Sequence, residues 1–440
     1  MPLARFSQGV VSSGTSEIKR IDITGIAMCL RNGSKENMAS VEEKFRTLGI
    51  ANAPGQEVRQ RSADVTHHRQ GEMIAGDLVD FSHGDVDAFP PPPGSFERFA
   101  EAVEIGGRQA YTEYRGSASI RAEVARDLAD FTGAPVQSDL GIIITPGTQG
   151  ALFLAIAATV GDGDKVAIVQ PDYFANRKLV EFFGGEIVPV ALDYLGAEKD
   201  AGLNLAQLRA AFEAGARTFL FSNPNNPTGA VYSATEITAI AVLAKEFGVT
   251  IIADQLYSRL RYGNKDYTHI RAAGLPEEQV VTIMGPSKTE SLSGYRLGIA
   301  FGSPAIIERM EKLQAIVSLR AAGYNQAVLQ TWFREPDGWM NERSIQHQAI
   351  RDDLVAIFRA AGLPTRLPQA GSYLFPTLPA LAVTLEEFVK LLRLQANVIV
   401  TAGTEFGPHP NSIRLNFSQD RKAAVSAAHR IVQMVQIYKA

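Results

Sequence analysis

The chain has 440 residues, 45% hydrophobic, 8% aromatic and 20% charged, which excludes a chain disordered throughout and suggests two or three domains at roughly 150 residues each. Its 43 basic and 47 acidic residues give a net charge of −4, so no basic nucleic-acid-binding surface is expected. A lone cysteine, Cys29, leaves no internal disulfide, and no run reaches the roughly 20 apolar residues of a membrane helix, so a soluble cytoplasmic enzyme is expected.

Residues 1–60 are polar and lack sustained periodicity, and read either as an N-terminal arm or extension that packs on a partner or as a start assigned too early, with Met38 as the alternative start. Within them Val41, Phe45 and Leu48 share one helical face, which predicts a short helix over Ser40–Leu48. The run Pro90-Pro91-Pro92-Pro93-Gly94 marks a boundary or rigid turn. Ser119–Phe131 reads as a helix. Seven short apolar runs follow: Gly141–Thr145, Lys165–Gln170, Glu186–Leu192, Thr218–Ser222, Val249–Ala253, Val280–Met284 and Leu297–Phe301. Several are almost unbroken Val, Ile, Phe and Ala, which suits strands buried on both faces. Helical patterns such as Ala151–Val160 and Thr235–Phe247 separate them. This alternation predicts an α/β domain with a mostly parallel seven-stranded sheet between helices. A helix is expected over Pro304–Leu319, with more helix through Ala360. Gly371–Pro376, Val398–Val400 and Ser412–Phe417 then read as strands of a smaller α+β domain.

Unusual residues cluster just beyond the carboxyl ends of these strands, where ligands bind in open α/β sheets. Pro146-Gly147-Thr148-Gln149-Gly150 opens a helix and frees backbone N–H groups for an anion. Tyr173 follows Pro171-Asp172 and is placed to stack on a planar ligand. In Asn223-Pro224-Asn225-Asn226-Pro227-Thr228-Gly229 the prolines force extended backbone and leave amides free to face a ligand. Asp254 ends a buried strand and calls for a cationic or N–H partner. Lys288 follows Gly285-Pro286-Ser287 and is a candidate amine nucleophile. Arg414, inside an apolar strand, needs an anion, and a carboxylate fits its forked guanidinium.

Taken in this order, NPNNPTG, ADQLY, SKTESLSGYRLG and IRLNF resemble the pyridoxal-phosphate enzymes of fold type I. The resemblance is to the aspartate aminotransferase-like class I/II aminotransferases and runs from about Asp80 to the C-terminus. It implies a large cofactor-binding domain over residues 109–320 and a small domain built from 61–108 with 321–440. It also implies pyridoxal 5′-phosphate held by Lys288 as an internal aldimine, with Asp254 paired to the ring nitrogen. Asn226 and Tyr257 resemble the groups on the cofactor phenolate oxygen, and Tyr173 the stacking aromatic. Gly147, Thr148, Gln149 and Arg296 match the phosphate site, with Ser287 counted among its cofactor-binding residues as a compensating group, and Tyr111 of a neighbouring subunit would reach it in a homodimer. Arg414 matches the clamp for the substrate α-carboxylate, assisted by Asn226 and the backbone of Gly84. The implied reaction moves an amino group between an α-amino acid and a 2-oxo acid, ping-pong. The alternative is another reaction of the same fold type at the α- or γ-carbon, by a synthase, lyase or oxidase.

The pattern departs from the family in three places. Gly285-Pro286 stands where many members have a phosphate-binding serine, with Ser287 or Thr289 nearby to compensate. Glu290 occupies a stretch that is usually apolar or glycine-rich. Arg320 lies in the region of the second arginine that dicarboxylate-specific members use.

Overall fold

All seven strands expected between Gly141 and Phe301 form, with ends displaced by no more than one residue. The computed structural model describes residues 41–46, 48, 63–263 and 265–440. The expected arm lies outside these residues except for 41–46 and 48, which are helical and fall within the expected Ser40–Leu48 helix.

A short strand β1 (Val79–Asp80) precedes β2 (Ile142–Pro146), β3 (Lys165–Gln170), β4 (Glu186–Ala191), β5 (Thr218–Ser222), β6 (Thr250–Asp254), β7 (Val280–Met284) and β8 (Leu297–Gly302). The last seven make one sheet in the order β2-β8-β7-β6-β5-β3-β4. Only β8 runs against its neighbours, β2 and β7. The near-continuous apolar runs are explained by burial on both faces. Ala167, Val169, Phe219, Phe221, Ile251 and Ala253 enter one core. Val166, Ile168, Leu220 and Ile252, the alternate residues, enter the other.

Among the described residues from 63 onward, the helices of eight or more residues are α1 (Ser95–Ile105), α2 (Ala118–Thr132), α3 (Gly147–Ala157), α4 (Phe174–Phe182), α5 (Leu205–Glu213), α6 (Ala234–Phe247), α7 (Pro304–Val317), α8 (Trp339–Ala360), α9 (Leu385–Ala396) and α10 (Arg421–Tyr438). Local chemistry sets their ends. Ser233 and Glu236 form a reciprocal capping box at the start of α6, and Gly248 ends it in the left-handed conformation. The Glu236 carboxylate also accepts the N–H groups of Ala201, Gly202 and Leu203, tying down the loop before α5. Helix α3 starts at Gly147 rather than at the expected Ala151, so the glycine turn is itself the first helical turn.

A separate core gathers Val79, Phe81 and Phe89 with Leu354 and Phe358 of α8, Phe388 of α9, and Ile431 and Met434 of α10. Its strands are short: β9 (Tyr373–Leu374), β10 (Val398–Ile399), β11 (Thr401–Ala402) and β12 (Ile413–Asn416). β9 and β12 occupy the centres of the expected runs Gly371–Pro376 and Ser412–Phe417, β10 covers the start of Val398–Val400, and β11 lies in none of the expected runs. β10 pairs parallel with β1, and β12 pairs antiparallel with β9 and β11. The topology has one consequence for the site. β2, β3, β5, β6 and β7 all end at the same sheet edge, and β8 begins there, so all the motif loops meet. Among the described residues, no helix is long and apolar enough to cross a membrane.

Candidate active site

At that edge lies a cavity of about 210 Å³, lined by Thr148, Gln149, Tyr173, Asn226, Asp254, Tyr257, Ser287, Lys288, Arg296 and Arg414 among others. Ten of the expected residues therefore converge on one space. Gly84 lines an adjoining cleft together with Ser287, Lys288, Asn416 and Ser418. Tyr111 does not reach the cavity of its own chain. It is 81% exposed, with the Arg320 guanidinium 5.4 Å from its ring centre.

The floor of the cavity depends on missing side chains. Gly147 has φ +79°, and a Cβ there would stand 2.3 Å from Arg296 Nη2. Arg296 itself adopts φ +53°, and its Nη1 donates to Ser293 O at 3.2 Å. The guanidinium is thereby set against the first turn of α3, whose unpaired N–H groups add to its positive field. Gly285 explains the first departure from the family pattern. A Cβ there would come within 2.9 Å of Thr148 Cγ2, so the bulk has moved from one turn to the other. Ser287 Oγ donates to Leu297 O at 3.1 Å and lines the cavity, whereas Thr289 Oγ1 is buried without a partner and does not.

The NPNNPTG loop is folded back on itself. The buried Asp172 carboxylate accepts the Ser222 N–H at 3.0 Å, the Ser222 hydroxyl and the Tyr173 N–H at 2.7 Å. Burial pushes the Asp172 carboxyl up to about 7. Asn225 Nδ2 donates to Pro171 O at 3.0 Å, and its Oδ1 accepts the Thr228 hydroxyl at 2.6 Å. Ser222 Oγ accepts the Asn226 N–H at 3.1 Å. These bonds occupy Asn225 in support and present Asn226 to the cavity. Tyr173 is fixed from the other side, its hydroxyl donating to Gln149 Oε1 at 2.9 Å.

Three charges in the cavity lack their expected counterparts. Asp254 Oδ1 accepts the Leu256 N–H at 3.1 Å, and no cation among the described residues pairs with the carboxylate. Burial pushes this carboxyl up to about 6. Lys288 is exposed to the cavity with no hydrogen-bond or ion-pair partner among the described residues. Arg414 is 2% exposed, and its guanidinium donates only to neutral oxygens: Ser82 O at 2.9 Å, Thr401 Oγ1 at 3.3 Å and Asn226 Oδ1 at 3.4 Å. Its Nε has no partner, and the rings of Tyr373 and Phe406 lie 4.6 and 4.8 Å away. A buried guanidinium without an anion is costly, so this geometry awaits a carboxylate.

Two lining residues escape the motif reading. Tyr373 shares a 2.6 Å hydrogen bond with the Tyr257 hydroxyl. His83 bonds Asp80, and this partner raises its imidazole to about 8. Arg320 is not part of this chain's cavity; its Nη1 donates to Thr112 O at 2.6 Å, and the guanidinium lies over Tyr111 and Tyr114. With Lys288, Arg296, Arg414 and His83 against Asp254 alone, the cavity suits an anionic ligand.

A family of class I and II aminotransferases matches residues 76–431. A putative aminotransferase, YugH, of Bacillus subtilis (strain 168) is 30% identical over 311 residues, 70% of this chain and 80% of its own. The aspartate aminotransferase of Geobacillus stearothermophilus is 28% identical, over 84% of this chain and 95% of its own. The crystal structure of an aspartate aminotransferase from Rhodobacter sphaeroides 2.4.1 is 64% identical, with a TM-score of 0.87, covering 91% of this chain and all of that one. A fold type I enzyme is thus defined by the sheet, its edge and the convergent motifs. The chain belongs to the class I and II aminotransferases and moves an amino group between an amino acid and a 2-oxo acid.

Proposed function

We propose that this chain binds pyridoxal 5′-phosphate in the cavity and uses it to transaminate an aspartate-type dicarboxylic amino acid. The observation that carries the reading is that the Asp254 carboxylate, without a cation, and the Lys288 amine, without a partner among the described residues, line one cavity with an Arg414 that pairs with no carboxylate. The residues fit the cofactor. Gly147, Thr148, Gln149, Ser287 and Arg296 would hold its phosphate, and Tyr173 would stack on its ring. Asn226 and Tyr257 would meet its phenolate oxygen, and Asp254 its ring nitrogen. Lys288 would hold it covalently. When bound, the protonated ring takes up the electron pair released at the substrate α-carbon.

The protein's own part is binding, orientation and proton movement. Arg414, aided by Asn226 and the Gly84 backbone, fixes the substrate α-carboxylate and so the direction of the α C–H bond. Lys288 Nζ takes the α-proton and later returns a proton to carbon. Tyr373 holds the Tyr257 hydroxyl in place. The preference for a second carboxylate is supported by the aspartate aminotransferases among the relatives. Exposed Tyr111 is assigned to the site of a second copy in a homodimer, in a cytoplasmic enzyme. The division into a large domain over 109–320 and a small one from 61–108 with 321–440 belongs to this reading, supported by the separate core around α8, α9 and α10.

The test is spectroscopic. Adding aspartate without any oxo acid should bleach the visible band of the purified holoenzyme stably, and an oxo acid should restore it. A band that persists while ammonia or peroxide accumulates would replace transamination by another reaction. The phosphate cradle has its own test. Gly147→Ala should displace Arg296 and weaken cofactor binding by about tenfold or more, since the strained backbone and the clash together cost a few kcal/mol. Titration of the cofactor-free variant measures this, and unchanged affinity would place the phosphate elsewhere.

A further inference from the structure

Glu290 lies two residues beyond Lys288 and is fully buried. Its Oε1 accepts from Arg259 Nη1 at 2.5 Å. The same guanidinium pairs twice with Glu335, at 2.7 and 2.9 Å, and lies 4.2 Å from the Phe333 ring centre. Arg259 follows Tyr257 by two residues. One guanidinium therefore joins the turn that carries Lys288 to the turn that carries Tyr257. Arg343 of α8 holds the Lys288 turn from another side, donating to Ser291 Oγ and to Pro90 O, each at 3.0 Å. Its charge, those of Arg259 and Glu335, and the Trp332 indole are the groups that face Glu290.

The Lys288 turn needs outside support. Ser291 sits at φ +56°, a left-handed conformation that a serine rarely adopts and that persists only where its surroundings enforce it. The bond that closes the turn over Lys288, Ser291 N to Lys288 O, is long at 3.4 Å. Stability alone does not explain a buried ion cluster here, because apolar residues of similar volume commonly serve as well. Burial pushes the Glu290 carboxyl up to about 7, and its Oε2 has no partner, so the cluster carries a cost.

We propose that Glu290 is a positioning residue that fixes the turn bearing Lys288 against the turn bearing Tyr257, so that the Lys288 amine meets the reacting carbon in the correct geometry. The proposal rests on the reading of Lys288 given above. Glu290→Gln keeps volume and an acceptor, and Arg259 keeps its double pair with Glu335. Glu290→Asp keeps the charge but withdraws the carboxylate by one methylene. Glu335→Gln removes charge from the same guanidinium without touching the Lys288 turn.

The experiment titrates the visible band of each holoenzyme from about pH 5 to 10, alongside steady-state kinetics. Both Glu290 variants should keep the band, move its midpoint by about half a pH unit or more, and lower kcat by about tenfold with KM within about twofold. Glu335→Gln should leave the midpoint in place. A Glu290→Asp enzyme with wild-type midpoint and kcat overturns the proposal, as does a Glu335→Gln midpoint that moves as far as that of Glu290→Gln. If Glu290→Gln does not fold, Glu290→Asp decides. Lys288→Ala separates the two readings, because a band that survives in that variant overturns the role of Lys288 itself.

Discussion

Lys288→Ala should lower turnover by roughly four orders of magnitude or more while leaving the fold intact. Two roles disappear together, covalent attachment of the cofactor and proton transfer at the substrate α-carbon, and proton transfer alone contributes about 10²–10⁴. The structural cost should be small. The Lys288 side chain is exposed to the cavity, and no hydrogen bond or ion pair among the described residues depends on it. Thermal unfolding of the cofactor-free variant should therefore stay within about two degrees of the cofactor-free parent, as for a surface substitution. The variant should also lose the visible band and release the cofactor on gel filtration. Measurable steady-state turnover without an added amine would sink the assignment. So would a large fall in melting temperature between the cofactor-free proteins, which would expose a structural role for the side chain.

The parts of the fold that could be read from the sequence share a physical reason. Runs such as Ile142–Ile144 and Thr218–Ser222 are buried on both faces, so their signal is carried by residue type and by the turns that bound them. The motif loops were readable because each follows such a run, and one sheet direction brings them to one edge. The expected strand Gly371–Pro376 shrinks to Tyr373–Leu374, because pairing with β12 sustains only Leu415↔Leu374 and Asn416↔Tyr373. β1 gave no signal, since two residues have no period and its pairing with β10 spans most of the chain. Tyr373 and His83 were hidden for the same reason. Each reaches the cavity through long-range packing that no local pattern records. Arg320 shows the converse. A residue type in the right stretch was suggestive, but its carbonyl partner and the tyrosine rings beneath it place it outside this chain's cavity. Glu290 looked anomalous in the sequence, and only the structure supplies Arg259 as its partner.

Asp254→Asn should give a protein that folds better without cofactor and barely works with it. The Asp254 carboxyl is raised to about 6 in the folded chain by burial, from an ordinary value of 3.8. Between these two pH values the folded state binds more protons than the unfolded one, so this group's contribution to stability falls as pH rises and is fully lost above about 6. The shift corresponds to on the order of 2–3 kcal/mol. Asparagine carries no charge to desolvate and can still accept the Leu256 N–H. At pH 8 the cofactor-free variant should therefore match or exceed the melting temperature of the parent, and the gap should narrow towards pH 5. Bound cofactor reverses the ranking. The ring nitrogen then supplies the cation that Asp254 lacks, so the parent gains a charge-assisted pair that the variant cannot make. Without that pair the ring is a poorer electron sink, and the single-turnover rate with aspartate should fall by about 10³ or more. Calorimetry at the two pH values and stopped-flow absorbance provide the readings. A cofactor-free variant less stable than its parent at pH 8 would mean that Asp254 has a structural partner. A rate within about tenfold of the parent would mean that the ring nitrogen is served by another group.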